Sequence, residues 1–122
     1  MWLDRSRARL TASAGDAMDE EYTELVLSLV EHIPPAQVAT YGDIAEMVGR
    51  GGPRQVGHVM AKFGDGVPWW RVVRADGRPA RGLEERGLRL LKSDKTPIKG
   101  DRVDLARARF KTAQTGEKDR SD

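Results

Sequence analysis

The chain contains no cysteine, which excludes disulfides, thiolate metal sites and any reaction that needs a cysteine sulfur as nucleophile. Aromatic residues make up only 6% of it, so a core must be assembled mostly from aliphatic side chains. Its two histidines, His32 and His58, stand far apart without ligand spacing around them, and neither a metal nor another cofactor is expected. No apolar run approaches the roughly 20 residues of a membrane span. The segment after Met1 also lacks the apolar stretch of a secretory signal. A soluble, cytoplasmic protein without a membrane partner is expected.

What the sequence does have is charge, at 33% of 122 residues. That length has room for one domain, which would bury roughly 60–70% of the unfolded chain's surface. The net charge of +2 is unevenly spread. Residues 16–46 hold eight acidic side chains and no Lys or Arg, whereas residues 50–81 hold seven basic ones against two aspartates. A face for a polyanion on the second stretch accounts for this asymmetry, and so does a solvated charged surface. Residues 1–15 and 111–122 are polar and read as flexible tails around one domain over residues 16–110.

Within that domain a first helix is predicted over residues 16–32, where Tyr22, Leu25, Val26, Leu29 and Ile33 follow one face of a 3.6-residue period. Pro34-Pro35 ends it, and residues 37–39 can form a short extended piece. Thr40 with Asp43 three residues on is an N-cap pair opening a second helix, whose Ile44, Met47 and Val48 face inward and which Gly49 stops. Pro53 suits the first position of a third helix running to about Phe63. Val56, Val59, Met60 and Phe63 form its apolar stripe, while Gln55, His58 and Lys62 line the other side with Arg54 at its entrance. Two short helices joined by a Gly-rich turn read as a helix-turn-helix. Beyond it, residues 71–73 form the only plausible strand, residues 75–77 a turn, and residues 83–92 a last helix supported by a Glu85/Arg89 pair and by Leu83, Leu90 and Leu91. Residues 97–103 can add an extended wing. The fold expected is mainly α with a small β component: a winged helix-turn-helix DNA-binding domain.

Three motifs carry more. They are Thr40-Tyr41-Gly42-Asp43-Ile44-Ala45, Pro53-Arg54-Gln55-Val56-Gly57 and Val67-Pro68-Trp69-Trp70-Arg71-Val72-Val73. In this order and spacing they resemble the DNA-binding domain of the O6-alkylguanine-DNA alkyltransferases, over about residues 22–91. There the third motif reads PCHRV, with the Cys accepting the alkyl group and the His helping to activate it. Here Trp69 and Trp70 take those two places. The sequence is similar to the alkyltransferase-like proteins, which keep the DNA-binding and base-flipping apparatus without the nucleophile. It departs from the transferases in a shorter loop before Pro68 that lacks their hinge Asn. After Leu91 it also departs from their LLxxEGV ending, which leaves the wing without a matching motif.

The resemblance implies roles, each beside a plainer reading. Arg54 matches the finger that fills the space left by an extruded nucleotide, or is a phosphate-contacting or solvated arginine. Tyr41 matches the Tyr that crowds the target phosphate, or staples its helix to the core. Gln55, His58 and Lys62 lie on the face that meets DNA, His58 as an uncharged groove or surface residue. Gly57 and Ala61 make a small-residue track suited to a minor groove, although Gly57 could instead permit close packing inside the protein. Pro68, Trp69, Trp70, Arg71 and Val72 are expected around the alkylguanine pocket, with Trp70 equally placed as a core anchor. Arg71 is expected to tie the loop to neighbouring carbonyls or to lie in solvent. Arg74, Arg78 and Arg81 could reach phosphates, and Arg81 lies near the cationic contact to the base.

The function expected is non-enzymatic recognition of O6-alkylguanine in duplex DNA by base flipping, flagging the lesion for nucleotide excision repair proteins, by a monomer. The alternatives are a sequence-specific winged-helix regulator, which predicts operator preference and a dimer, and an active alkyltransferase, which the missing sulfur opposes.

Overall fold

In the computed structural model, which describes residues 14–110, helix α1 (Ala14–Glu31) starts two residues earlier than the periodicity predicts. The remainder of the two predicted tails, residues 1–13 and 111–122, lies outside the described residues. Helix α1 packs against the two helices that follow it, so its buried arc centres on Val26, Leu27 and Val30 and continues to Ile33. Leu25, expected on that face, falls at the edge of the arc and is 41% exposed.

Strand β1 (Ala39–Thr40) leads directly into α2 (Tyr41–Val48). The start of α2 is fixed reciprocally: Thr40 Oγ1 accepts the Asp43 N–H at 2.9 Å, and Asp43 Oδ2 accepts the Thr40 N–H at 3.1 Å. Gly49 closes the helix at φ +92°, donating its N–H to the Ala45 carbonyl. Pro53 opens α3 (Pro53–Phe63). The turn between them needs Gly51, because φ is +74° there and a Cβ would lie 2.5 Å from the Tyr22 hydroxyl. Tyr22 thus braces the turn from α1, with the Arg50 guanidinium 5.7 Å over its ring. Ile44, Ala45, Val56 and Val59 are buried between the helices. Phe63, expected to end the apolar stripe, is 52% exposed, because α3 stops at it and the chain turns back through a 3₁₀ segment, Gly64–Gly66.

A second 3₁₀ turn, Trp69–Arg71, precedes strand β2 (Val72–Val73), so the predicted strand loses Arg71 to the turn. Strand β2 runs parallel to β1, pairing Val72 with Ala39 and Val73 with Thr40. Helix α4 (Glu84–Ser93) lies one residue later than predicted, leaving Leu83 41% exposed. Its N-terminal carboxylate contacts come from Glu84, which accepts the Gly82 N–H and binds Arg74. The expected Glu85/Arg89 pair is not formed among the described residues.

The segment after α4 departs from the family ending in its letters and keeps a helix-ending geometry. Lys95 sits at φ +69°, its N–H bonds Lys92 O, and the Thr96 N–H reaches back to Leu91 O. This is a Schellman ending with lysine where glycine is usual. It launches an antiparallel hairpin, β3 (Ile98–Lys99) with β4 (Arg102–Val103), in the place of the expected wing. Helix α5 (Leu105–Ala108) follows, too short to leave a periodic signature in the sequence. Val38, in the middle of the predicted extended piece, exchanges backbone bonds with Ala108 and Phe110. Arg109 closes the structure with two 2.9 Å bonds to the Asp43 carboxylate at the α2 cap.

The fold is therefore mainly α with small sheets, a helix-turn-helix followed by a hairpin. One core cluster lies under α1, α2 and α3, and a second joins Val38, Val73, Leu91, Val103 and Ala108. Among the described residues no helix is long and apolar enough to cross a membrane. A left-handed backbone costs an L-residue about 1–2 kcal/mol. Lys95→Gly should accordingly raise stability by about 1 kcal/mol in urea unfolding, and an unchanged or lower midpoint would contradict the assigned helix ending.

Candidate nucleic-acid interface

Arg54, Gln55, His58 and Lys62 are all exposed on one side of α3, as its periodicity predicts. Arg54 stands in the first turn of α3. Gln55 is partly committed, since its Oε1 accepts the Gly52 N–H at 2.9 Å and caps α3. Gly57 is the informative position. A Cβ built there meets nothing within 4 Å, so this glycine serves no packing inside the protein. With exposed Ala61 one turn on, it leaves a shallow track open to an approaching surface.

Beside that track lies a cavity of about 400 Å³, within the roughly 300–1,000 Å³ range of small-molecule sites. Gly57, Met60 and Ala61 of α3 form one wall, and Trp69 stands on the cavity's surface with Arg81 and Arg86. Tyr41 reaches it from the start of α2 and also packs on the first core cluster, where it staples the helix as its plainer reading expects. Burial raises the Tyr41 pKa above its ordinary value of 10.0, and nearby Arg74 only partly counters this.

A 3₁₀ turn advances about 120° per residue, and this sends Trp69 and its two successors in different directions. Trp69 faces the cavity, where its ring meets Trp70 edge-on at 5.8 Å and the Arg86 guanidinium lies 5.5 Å from its centroid. Trp70 and Arg71 turn into the protein. Trp70 Nε1 donates to Asp94 Oδ2 at 2.9 Å, and Arg71 donates to both Asp94 oxygens at 2.7 and 3.1 Å and to the Ile33 carbonyl at 3.0 Å. The Arg71 guanidinium also lies 5.3 Å from the Trp70 ring centroid. Partial burial pushes the Asp94 carboxyl up, but the bonds from Arg71 and Trp70 outweigh it and hold the group below its ordinary 3.8.

Of the residues expected around the pocket, Trp69 and Arg81 line the cavity. Pro68, Trp70, Arg71 and Val72 do not. Pro68 precedes the turn, Trp70 and Arg71 are drawn to Asp94, and Val72 is 1% exposed in β2. Arg74 and Arg78, expected to be free for phosphates, are engaged by Glu84 and by Asp76 and Asp101. Sequence reasoning missed Arg86. The available signal was Gly87, an isolated glycine in a helix, which marks close approach. A Cβ there would lie 2.7 Å from Pro79 Cβ and 3.7 Å from Trp69 Cζ3, so α4 touches Trp69 and carries Arg86 to the cavity. Among the described residues no three His, Cys, Asp or Glu side chains are grouped to hold a metal.

Residues 21–96 match the family model for the DNA-binding domain of 6-O-methylguanine DNA methyltransferase. Over 62 residues the chain is 32% identical to a DNA base-flipping protein of Vibrio parahaemolyticus, covering 48% of this chain and 62% of that one. Alkyltransferase-like protein 1 of Schizosaccharomyces pombe is 43% identical over 63 residues, 49% of this chain and 57% of its own. A bifunctional methyltransferase/endonuclease of Picrophilus torridus is 34% identical over 89 residues, 68% of this chain and 30% of its own. The chain thus spans less than two thirds of these curated relatives. The fold is similar to the crystal structure of S. pombe Atl1 in complex with damaged DNA containing O6-carboxymethylguanine, with a TM-score of 0.68 and 28% identity over 76% of this chain and 97% of that one.

Two outcomes follow from the geometry. Gly57→Leu should keep or raise stability, since glycine costs about 1 kcal/mol relative to good helix formers. The same change should weaken duplex DNA binding roughly tenfold, equivalent to about 1.4 kcal/mol; retained fold with unchanged affinity would show that nothing approaches this face. Asp94 supplies the pH dependence. Its folded pKa is depressed, so its contribution is present above the unfolded value and lost as pH falls through the lower folded one. The near-UV tryptophan dichroism should therefore hold down to about pH 4 and collapse below it, and Asp94→Asn should weaken that signal already at neutral pH. An Asp94→Asn protein with the parent's signal and acid profile would remove Asp94 from this role.

Proposed function

The chain belongs to the family of the 6-O-methylguanine DNA methyltransferase DNA-binding domain, and we propose that it is a non-enzymatic reader of O6-alkylguanine in duplex DNA. One observation carries the reading. Trp69, which the resemblance of Pro68-Trp69-Trp70-Arg71-Val72 to PCHRV sets in the place of the nucleophilic cysteine, lies on the surface of a cavity beside α3, in a chain with no cysteine at all.

The physics of such a reader is a balance of small terms. A base must leave the stack to be inspected, which costs a few kcal/mol and least where pairing is already damaged. Stacking on an aromatic face returns roughly 1–3 kcal/mol per base. Trp69 would supply that face. Arg54 would enter the space the base vacates, where a planar guanidinium can stack and also hydrogen-bond the orphaned partner. Tyr41, at the start of α2, would crowd the target phosphate, and the Gly57–Ala61 track would let the backbone of α3 approach the minor groove.

Without a thiolate the alkyl group stays on the DNA. The bound complex is then the signal, and we propose that it flags the lesion for nucleotide excision repair. The methyltransferase named in the Picrophilus relative belongs to a protein of which this chain covers 30%.

Competition at fixed salt between a duplex with a single O6-methylguanine and its unmodified twin tests the reading, since phosphate contacts dominate raw affinity. The lesion duplex should bind more tightly, and Arg54→Ala should erode that preference more than it lowers binding to the unmodified duplex. Equal affinities would remove the proposal. A loss uniform across both duplexes would reduce Arg54 to a phosphate contact.

A further inference from the structure

The charges on the cavity wall carry a consequence for which adducts it accepts. Of the nine arginines between residues 62 and 110, five hold carboxylates among the described residues: Arg71 with Asp94, Arg74 with Glu84, Arg78 and Arg102 with Asp101, and Arg109 with Asp43. The two that line the cavity are among the four that do not. Arg81 and Arg86 are exposed and have no ion-pair partner among the described residues. The one carboxylate on the wall, that of Asp65, forms no ion pair with either among the described residues. Arg86 is also the better positioned of the two. It rises from the first turn of α4, its guanidinium is held 5.5 Å from the Trp69 centroid, and the contact of Gly87 with Pro79 and Trp69 fixes the helix beneath it.

A planar guanidinium over an indole keeps its N–H edge free, and that edge matches a carboxylate or phosphate fork. A flipped guanine stacked at Trp69 would bring its O6 substituent into the same cavity as Arg86 and Arg81. We infer that the cavity selects O6-adducts that end in an anion, with Arg86 as the specificity-determining residue. This inference rests on the lesion-reading function proposed above. It goes beyond that reading because a pocket that accommodates alkyl groups by size alone would be indifferent to charge.

Three duplexes that differ only at one guanine separate the possibilities: unmodified, O6-carboxymethyl, and O6-carbamoylmethyl, the last a neutral match in size to the second. The wild-type protein should bind the carboxymethyl duplex roughly tenfold more tightly than the carbamoylmethyl one, the scale of one charge-assisted hydrogen bond. Arg86→Gln, an exposed change whose fold is checked by its melting curve, should bring that ratio close to one while leaving the neutral-adduct duplex preferred over the unmodified one. Equal binding of the two adducts by the wild-type protein would overturn the inference while leaving the lesion reader standing. So would an Arg86→Gln loss shared equally by all three duplexes, which would make Arg86 a phosphate contact. No preference for either adduct over unmodified guanine would overturn the inference together with the reading beneath it.

Discussion

The Asp94 carboxylate is the constraint on which the site depends. It receives the Trp70 indole N–H and both arms of Arg71, and Arg71 continues to the Ile33 carbonyl just beyond α1. One carboxylate at the end of α4 therefore ties the turn Trp69–Arg71 to helices from both core clusters. Its side chain and that of Arg71 are each only 14% exposed, so the pair is shielded from the screening that makes surface ion pairs weak. With two of the turn's three side chains held inward, the tight 3₁₀ geometry leaves Trp69 facing the cavity. Gly87 then lets α4 close on that indole.

The same arrangement separates recognition from chemistry. An alkyl transfer needs a soft, deprotonated sulfur with a base beside it, whereas Trp69 offers a flat polarisable surface and Trp70 has its N–H committed to a structural carboxylate. In the proposed reading this position is a platform for a base. The ground beside Gly57 is open, and the arginine side chains around it, Arg54 on α3 and Arg81 and Arg86 on the cavity wall, are exposed.

Legibility in the sequence followed the range of the interactions. Local ones could be read directly: the Thr40/Asp43 cap, the Gly49 stop, Pro53 at the start of α3 and the polar side of that helix are each decided within four residues. The inward burial of Ile44, Val56 and Val59 followed from periodicity alone. The direction of Trp70 could not be read, because it is set by Asp94, 24 positions away. Arg74 looked available for phosphates because Glu84, ten residues on, meets it only in the folded chain, whereas Arg78 has one partner, Asp76, two residues away and a second, Asp101, brought in by folding. The wing expected over residues 97–103 is present as the hairpin, while the helix ending that launches it was obscured by Lys95, which adopts a backbone conformation usually left to glycine. Arg86 was overlooked because its part in the site depends on how α4 meets Trp69. The three motifs located the recognition helix and Trp69, while the rest of the cavity wall was assembled by tertiary packing.

The central claim is that an indole now receives a base where sulfur once reacted. Its most direct test is the emission of pyrrolocytosine placed opposite a single O6-methylguanine, which brightens when its partner leaves the stack. The account predicts a rise on binding the wild-type protein, a much smaller rise with Trp69→Ala at equal occupancy, and no gain in protein mass afterwards. Saturated binding without a rise in emission, or a rise that Trp69→Ala leaves intact, would contradict it.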